Sequence, residues 1–374
     1  MSGDGGLYDP SAPVDASAGV THGRSLGGPL RESADVVIVG SGAGGSVVAK
    51  ILAEAGRRVV VLEEGPFFKP EDYRRFQPTE SVRRMFREGG MAMAFGIGQT
   101  PMISITMGRA VGGSSLLTGG VCFRIPGDVH STWERSLGLR ELSEERFEDA
   151  YRDVEKHLAV TEIPPEMRSE STRRYVEGAK RMGIEVEPIR RNTGDDCDGN
   201  ARCNFTCPKG AKRSVDVAYL PIAVRHGARI FSDAIVNEVI VENGRAAGVR
   251  GRLLGGAFGA PGHELEVRAP VVVLACGTLH TPLVLLRGKI GKASGVVGKH
   301  VTLHPAVRIV SRFRDQRAGV GRSPPRASTP DHYPVSSSIR RLHRGELPRR
   351  GPRSSRPRAP ASRAVPRAAP CSAR

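Results

Sequence analysis

The sequence predicts an α/β fold: a parallel sheet, a β-meander beside it, and a smaller, incomplete α+β portion. Three observations carry this: an apolar run ending in a glycine-rich turn, a helix and a second apolar run directly after it, and later strand-like runs that return to the same sheet. Asp35-Val-Val-Ile-Val-Gly40 is apolar at every interior position, as a parallel strand covered on both faces requires. Residues 46–55 place Val47, Val48, Ile51 and Leu52 on one helical face, and Gly56 stops the helix. Arg58-Val-Val-Val-Leu-Glu63 is the next buried strand, so 34–65 is a βαβ unit.

From 66 to 107 no period survives, and Gly89, Gly90, Gly96 and Gly98 lie among Met85, Met91, Met93, Met102 and Met107, which reads as a long functional loop. Ser143 caps a helix that repeats Phe147, Ala150, Tyr151, Val154 and Leu158 at the helical period; another spans 172–182 and stops at Gly183. Strand-like runs follow at 228–232, 235–241, 247–250 and 264–267, punctuated by Glu242-Asn-Gly244 and Gly255-Gly256. The last run, 271–275, is apolar enough to rejoin the parallel sheet.

The chain has 374 residues and a formal charge of +17, which invites a nucleic-acid reading. The charge is local, however. Residues 317–374 hold 14 arginines, no lysine and only Asp331 and Glu346 as acids, so this stretch carries +12 and the rest +5. Its Arg/Pro/Ala/Ser text has too little apolar content to offset chain entropy, and disorder is expected from a boundary near Gln316 onward. It has almost no aromatic residue besides Tyr333, so no nucleic-acid partner is expected. Residues 1–33, rich in Gly, Ser, Ala and Pro, are expected to be disordered and show no signal-peptide pattern. No apolar run reaches the roughly 18 residues of a membrane span. Three of the six cysteines cluster rather than spread as a disulfide framework, which fits a reducing, cytoplasmic setting.

Gly40-Ser-Gly-Ala-Gly-Gly45 carries the G-x-G-x-x-G pattern between a strand and a helix, and Glu63 closes the second strand 18 residues beyond Gly45. Gly40 permits the tight turn, Gly42 lets a pyrophosphate approach the backbone, and Gly45 lets helix and strand pack closely. The helix N-terminus favours phosphate charge, and Glu63 accepts from ribose hydroxyls. A purely structural glycine turn would not need that acid. Gly108-Arg-Ala-Val-Gly-Gly-Ser-Ser115 is a second glycine loop, with Arg109 as a charge partner for a bound group, and Ala275-Cys-Gly-Thr278 makes a small-residue turn ahead of Thr281-Pro282. The second loop argues against an ordinary NAD-dependent dehydrogenase.

In order and wording these three features resemble the glucose-methanol-choline (GMC) oxidoreductases, whose turns read G-S-G-x-G-G, G-R-x-x-G-G-S-S and A-x-G-x-x-x-T/S-P-x-L-L. The resemblance runs over about 34–314 and extends to Gly244-Arg-Ala-Ala-Gly-Val249 and Val297-Gly-Lys-His-Val-Thr-Leu-His-Pro305. It implies a Rossmann-like, FAD-binding domain of 34–135 and 206–299, with 136–205 and 300–316 as part of a substrate domain. FAD would lie across Gly40, Gly42, Gly45, Glu63, Arg109, Gly112, Gly113, Ser114 and Val236, the last through its backbone at the adenine. The implied chemistry is hydride transfer from an alcohol CH–OH carbon to the flavin, with a small-molecule alcohol as substrate and the electron acceptor left open. No histidine occurs in 108–120, so noncovalent FAD is expected, and Thr118 stands where many members carry Asn.

Family members take the base that removes the hydroxyl proton from a far C-terminal segment, and the resemblance reaches no such segment here. The lysine-free tail reads like a GC-rich gene out of frame, so a truncated chain with impaired catalysis is expected, and no catalytic residue is assigned. Cys197-x5-Cys203-x3-Cys207-Pro208 has thiol spacing compatible with an iron–sulfur or zinc site as well as with plain packing, and no metal ligand is assigned. His300 and His304 read as structural, Cys122 and Cys276 as small buried residues.

Overall fold

The structure is a computed structural model that describes residues 19–95, 102–255 and 261–302 and the backbone of 337–339. Its centre is a five-stranded parallel sheet. The strands are β1 (Val20–His22), β3 (Val36–Val39), β4 (Val59–Leu62), β5 (Arg229–Ser232) and β9 (Val271–Leu274), in the order β1-β5-β4-β3-β9. Val36 lies opposite Val59 on one side and Val271 on the other, so the βαβ unit supplies the middle of the sheet.

Helix α1 (Ala43–Glu54) and helix α7 (Leu220–Arg225) cover one face of this sheet. Val36, Ile38, Val59 and Val61 point to that side, against Ala49, Ala53, Leu220 and Ala223. The alternate residues Val37, Val39, Val60 and Leu62 face a second, four-stranded sheet. It comprises β2 (Leu30–Ser33), β6 (Ala234–Glu242), β7 (Arg245–Leu254) and β8 (Pro261–Arg268), in the order β6-β7-β8-β2. β6, β7 and β8 are the expected antiparallel meander, and β2 adds to it in parallel, with Leu30 opposite Leu265. The central strands are therefore apolar throughout because both faces are buried, each full-size side chain contributing about 1.5–3 kcal/mol.

Several expectations need correction. Disorder over 1–33 does not hold for the described part, since β1 and β2 pair into both sheets. Leu30 is buried in the core, Arg24 Nε lies 2.7 Å from Asp233 Oδ1, and Arg229 pairs with Glu32. These strands are too short to set a visible period; residues 1–18 lie outside the described residues. The segment after 66 is not one long loop but holds α2 (Pro70–Arg75) and α3 (Pro78–Met85). Each begins with proline in its first turn, and Asp72 and Glu80 accept from the N–H groups of Lys69 and Gln77 at 2.9 and 2.8 Å. A short ladder, Met93–Ala94 with Ile103–Ser104, follows and is closed at its root by a Phe86–Gly108 bridge; residues 96–101 lie outside the described residues.

The segment before the meander carries α4 (Gly127–Leu137), α5 (Glu144–His157) and α6 (Glu170–Arg181). Ser143 caps α5 and Ser169 caps α6, and Gly183 takes φ +71° past the end of α6. A domain boundary at 135 cuts α4, which continues to Leu137. In the tail, Ser337–Ile339 pairs antiparallel with Val186–Pro188, so disorder from 317 onward does not hold at these three residues; the others of 317–374, with His304, His332 and His343, lie outside the described residues.

Candidate functional site

The site forms where β3, β4 and β9 end. Gly40 takes φ +99°, and a Cβ there would stand 2.4 Å from the Ala275 carbonyl oxygen. A Cβ on Gly45 would stand 1.9 Å from Gly40 O, and one on Gly113 2.9 Å from Gly42 Cα. The first glycine loop, the second and the Ala275–Gly277 turn, far apart in sequence, are thus packed backbone to backbone where no side chain fits. Gly42 is the N-cap of α1, with no side chain capping the helix, and Ala43 and Gly44 are exposed. The free N–H groups and the helix dipole favour an anion there.

Glu63 is buried at the end of β4. Its Oε2 accepts from Ser41 N–H at 3.0 Å and Ser41 Oγ at 2.7 Å, and its Oε1 from Gly65 N–H at 2.9 Å. Burial pushes its carboxyl up and these donors pull it back. Gly112, at φ +96°, donates its N–H to Ser41 Oγ at 3.0 Å. Ser41 therefore joins both glycine loops to the acid, a role sequence reasoning missed because the general G-x-G-x-x-G pattern leaves its position free and the partner it bonds lies on the next strand.

Ser114 is exposed, and its Oγ accepts from Gly108 N–H at 2.9 Å, closing the second loop on itself. Arg109 is engaged by an unexpected residue: its Nε lies 3.0 Å from Glu64 Oε1, while Arg87 Nη2 lies 2.7 Å from Glu64 Oε2. Burial works to raise the Glu64 carboxyl, but Arg87 and Arg109 outweigh it and hold the group below the usual carboxylate range. Val236 is buried in the core beside a register shift in the meander, opposite Gly251, so its side chain is committed to packing.

Cys203 and Cys207 are buried and Cys197 half-buried. Arg191 Nη2 lies 2.8 Å from Cys203 Sγ, and among the described residues no group of three or more His, Cys, Asp or Glu is arranged to hold a metal ion. Burial pushes the Cys276 thiol up to about 11, and its Sγ lies 3.5 Å from Val39 O, behind the third turn.

A helix N-terminus beside tightly packed glycine loops, with a buried acid on the next strand, is the arrangement of a dinucleotide-binding α/β domain. Residues 34–306 match the GMC oxidoreductase family, and the chain belongs to that family, whose cofactor is FAD. The glycine cradle and Glu63 fit that group. A GMC-type oxidoreductase of Mycobacterium tuberculosis is 37% identical over 291 residues, covering 78% of this chain and 44% of that protein. A long-chain-alcohol oxidase of Arabidopsis thaliana is 29% identical over 300 residues, covering 77% and 38%. The solved pyridoxine 4-oxidase of Mesorbium loti is 21% identical with a TM-score of 0.49, covering 68% and 52%. The chain thus spans about half or less of the length of these relatives.

Proposed function

We propose that this chain binds FAD noncovalently and presents it for oxidation of an alcohol CH–OH group. The meeting of three sequence-distant loops at a cradle without side chains, beside buried Glu63, carries the reading. Gly40, Gly42 and Gly45 leave room for the pyrophosphate at the start of α1, and Glu63, oriented by Ser41, accepts from the ribose. Gly112, Gly113 and Ser114 line the cofactor, Arg109 braces their loop through Glu64, and the Val236 backbone lies toward the adenine. Bound FAD supplies an acceptor for hydride from the alcohol carbon.

Relatives named long-chain-alcohol oxidase support an alcohol as substrate, and the exposed Met91, Met93, Phe95 and Met102 at the 93–104 ladder favour a bulky, apolar one. The base is assigned to a segment outside 34–306. On this reading 34–137 and 206–299 hold the cofactor and 138–205 belongs with the substrate-binding part. The clustering of Cys197, Cys203 and Cys207 supports a reducing, cytoplasmic setting. Anaerobic addition of a long-chain alcohol to the FAD-loaded chain tests the assignment. Bleaching of the flavin band supports it; bound FAD that no alcohol bleaches at any pH leaves flavin binding without alcohol chemistry.

A further inference from the structure

A buried cation lies beneath the second glycine loop. Lys212 is 3% exposed, and its Nζ donates to Thr118 O at 2.7 Å and Cys203 O at 2.9 Å. Thr118 ends the 3-10 turn Gly113–Leu117, and Cys203 opens the 3-10 turn Cys203–Phe205 of the cysteine-rich segment. One ammonium therefore staples two turns that lie far apart in sequence.

The neighbouring contacts hold the same loop from the same side. Arg191 Nη2 donates to Gly119 O at 2.8 Å as well as approaching Cys203 Sγ, and Asn192 N–H donates to Gly120 O at 3.0 Å. Val215 N–H donates to Ser115 Oγ at 3.2 Å, and that hydroxyl donates to Gly112 O at 2.7 Å. Asp216 backs Gly112 so closely that a Cβ there would lie 3.0 Å from Asp216 Cβ, and Asp216 Oδ2 accepts from Tyr73 Oη–H at 2.5 Å.

Removing an ammonium from water is costly, and burial pushes the Lys212 amine down to about 8. A methionine would fill a similar volume without that cost but would leave the Thr118 and Cys203 carbonyls without this donor, so the lysine is there for its two hydrogen bonds rather than for its bulk. We propose that Lys212 is a positioning residue for the cofactor loop, fixing Thr118 and with it Gly112–Ser114 against the cysteine-rich turn, which acts as the loop's anchor. This rests on the FAD reading above.

The test uses the full chain, titrating apoprotein with FAD by flavin fluorescence, with visible circular dichroism of the bound flavin and the thermal midpoint of the apoprotein as companions. Lys212→Met is expected to raise the Kd for FAD at least tenfold and alter the dichroism, by more than any fall in the apoprotein midpoint accounts for. Lys212→Gln, whose shorter amide reaches one carbonyl at most, is expected to raise Kd severalfold. Parent-like affinity in both variants overturns the proposal, as does parent-like affinity in Lys212→Gln alone if the methionine variant does not fold. A loss of affinity that only tracks a fallen midpoint overturns it as well. A parent chain that takes up no FAD overturns the cofactor reading itself, and does so before any variant is made.

Discussion

Gly45→Ala adds one methyl group where α1 crosses the first loop. That carbon would stand 1.9 Å from Gly40 O and 3.2 Å from Ala275 Cβ. Carbon contacts relax at about 3.5–4.0 Å, so either α1 withdraws by roughly 1.5 Å or the Gly40 turn opens. Withdrawal lifts Ala49 and Ala53, both fully buried, away from Val36, Ile38, Val59 and Val61. Overpacking of this kind costs about 3 kcal/mol, against about 1 kcal/mol gained from alanine's helix propensity, leaving a net loss of about 2 kcal/mol. Gly44 is the internal control. A Cβ there meets nothing within 4 Å, so Gly44→Ala keeps only the propensity gain, up to about 1 kcal/mol. Urea unfolding of the apoprotein reads both, and FAD titration of Gly45→Ala is expected to show affinity reduced by an order of magnitude or more. An unchanged or raised urea midpoint in Gly45→Ala would refute the close packing of α1 on the loop.

Thr206 is fully buried and takes φ +71° with ψ +154°, a region otherwise left to glycine. Thr206→Gly should gain about 1–2 kcal/mol of stability in a thermal melt, and a lowered midpoint would contradict the strain. Burial pushes the Lys212 amine down to about 8 from 10.5 for a free lysine, with Arg191 adding to the fall and Cys203, Asp216 and Cys207 opposing it. Between these values the unfolded chain holds the proton that the folded chain has lost, so this group's contribution to stability rises with pH by up to about 3 kcal/mol. Urea midpoints at pH 7.5 and 10 should therefore climb more in the parent than in Lys212→Met, and parallel changes would refute the assignment. Glu155 is held down to about 2, first by Arg124 and also by Arg190, so its contribution is complete above pH 4.5 and lost as pH falls toward 2. Solvent screening limits it to about 1 kcal/mol; Glu155→Gln should flatten the acid limb of the helical circular dichroism signal, and an unchanged limb would remove the pair from the account.

The parts of the fold visible in the sequence are those whose signal is local. The runs 36–39 and 59–62 and the turn at Gly40 announce a buried βαβ unit, and the glycine at 244 announces the meander hairpin. β1 and β2 were hidden because three or four residues in a Gly/Pro-rich stretch set no period, and only pairing with β5 and β8 makes them strands. Helices α2 and α3 were hidden likewise, since six and eight residues are too short to repeat a helical period and are marked instead by proline and capping acids. In the site, Gly40, Gly45 and Gly113 were legible because backbone crowding admits no other residue there. Ser41, Glu64 and Lys212 were not, because partners such as Glu63, Arg109 and Thr118 lie 22 to 94 positions away and only the fold supplies them. Arg109 shows the limit most clearly: the sequence offered it to a bound group, while Glu64 engages it within the protein.

The central claim is that the three loops form an FAD site. The most direct measurement is the visible absorption spectrum of the purified chain before and after heat release of cofactor. The account predicts flavin bands and release of FAD in near-stoichiometric amount, or their appearance when folded apoprotein is given FAD. A folded, soluble chain that is colourless and takes up no added FAD would contradict it.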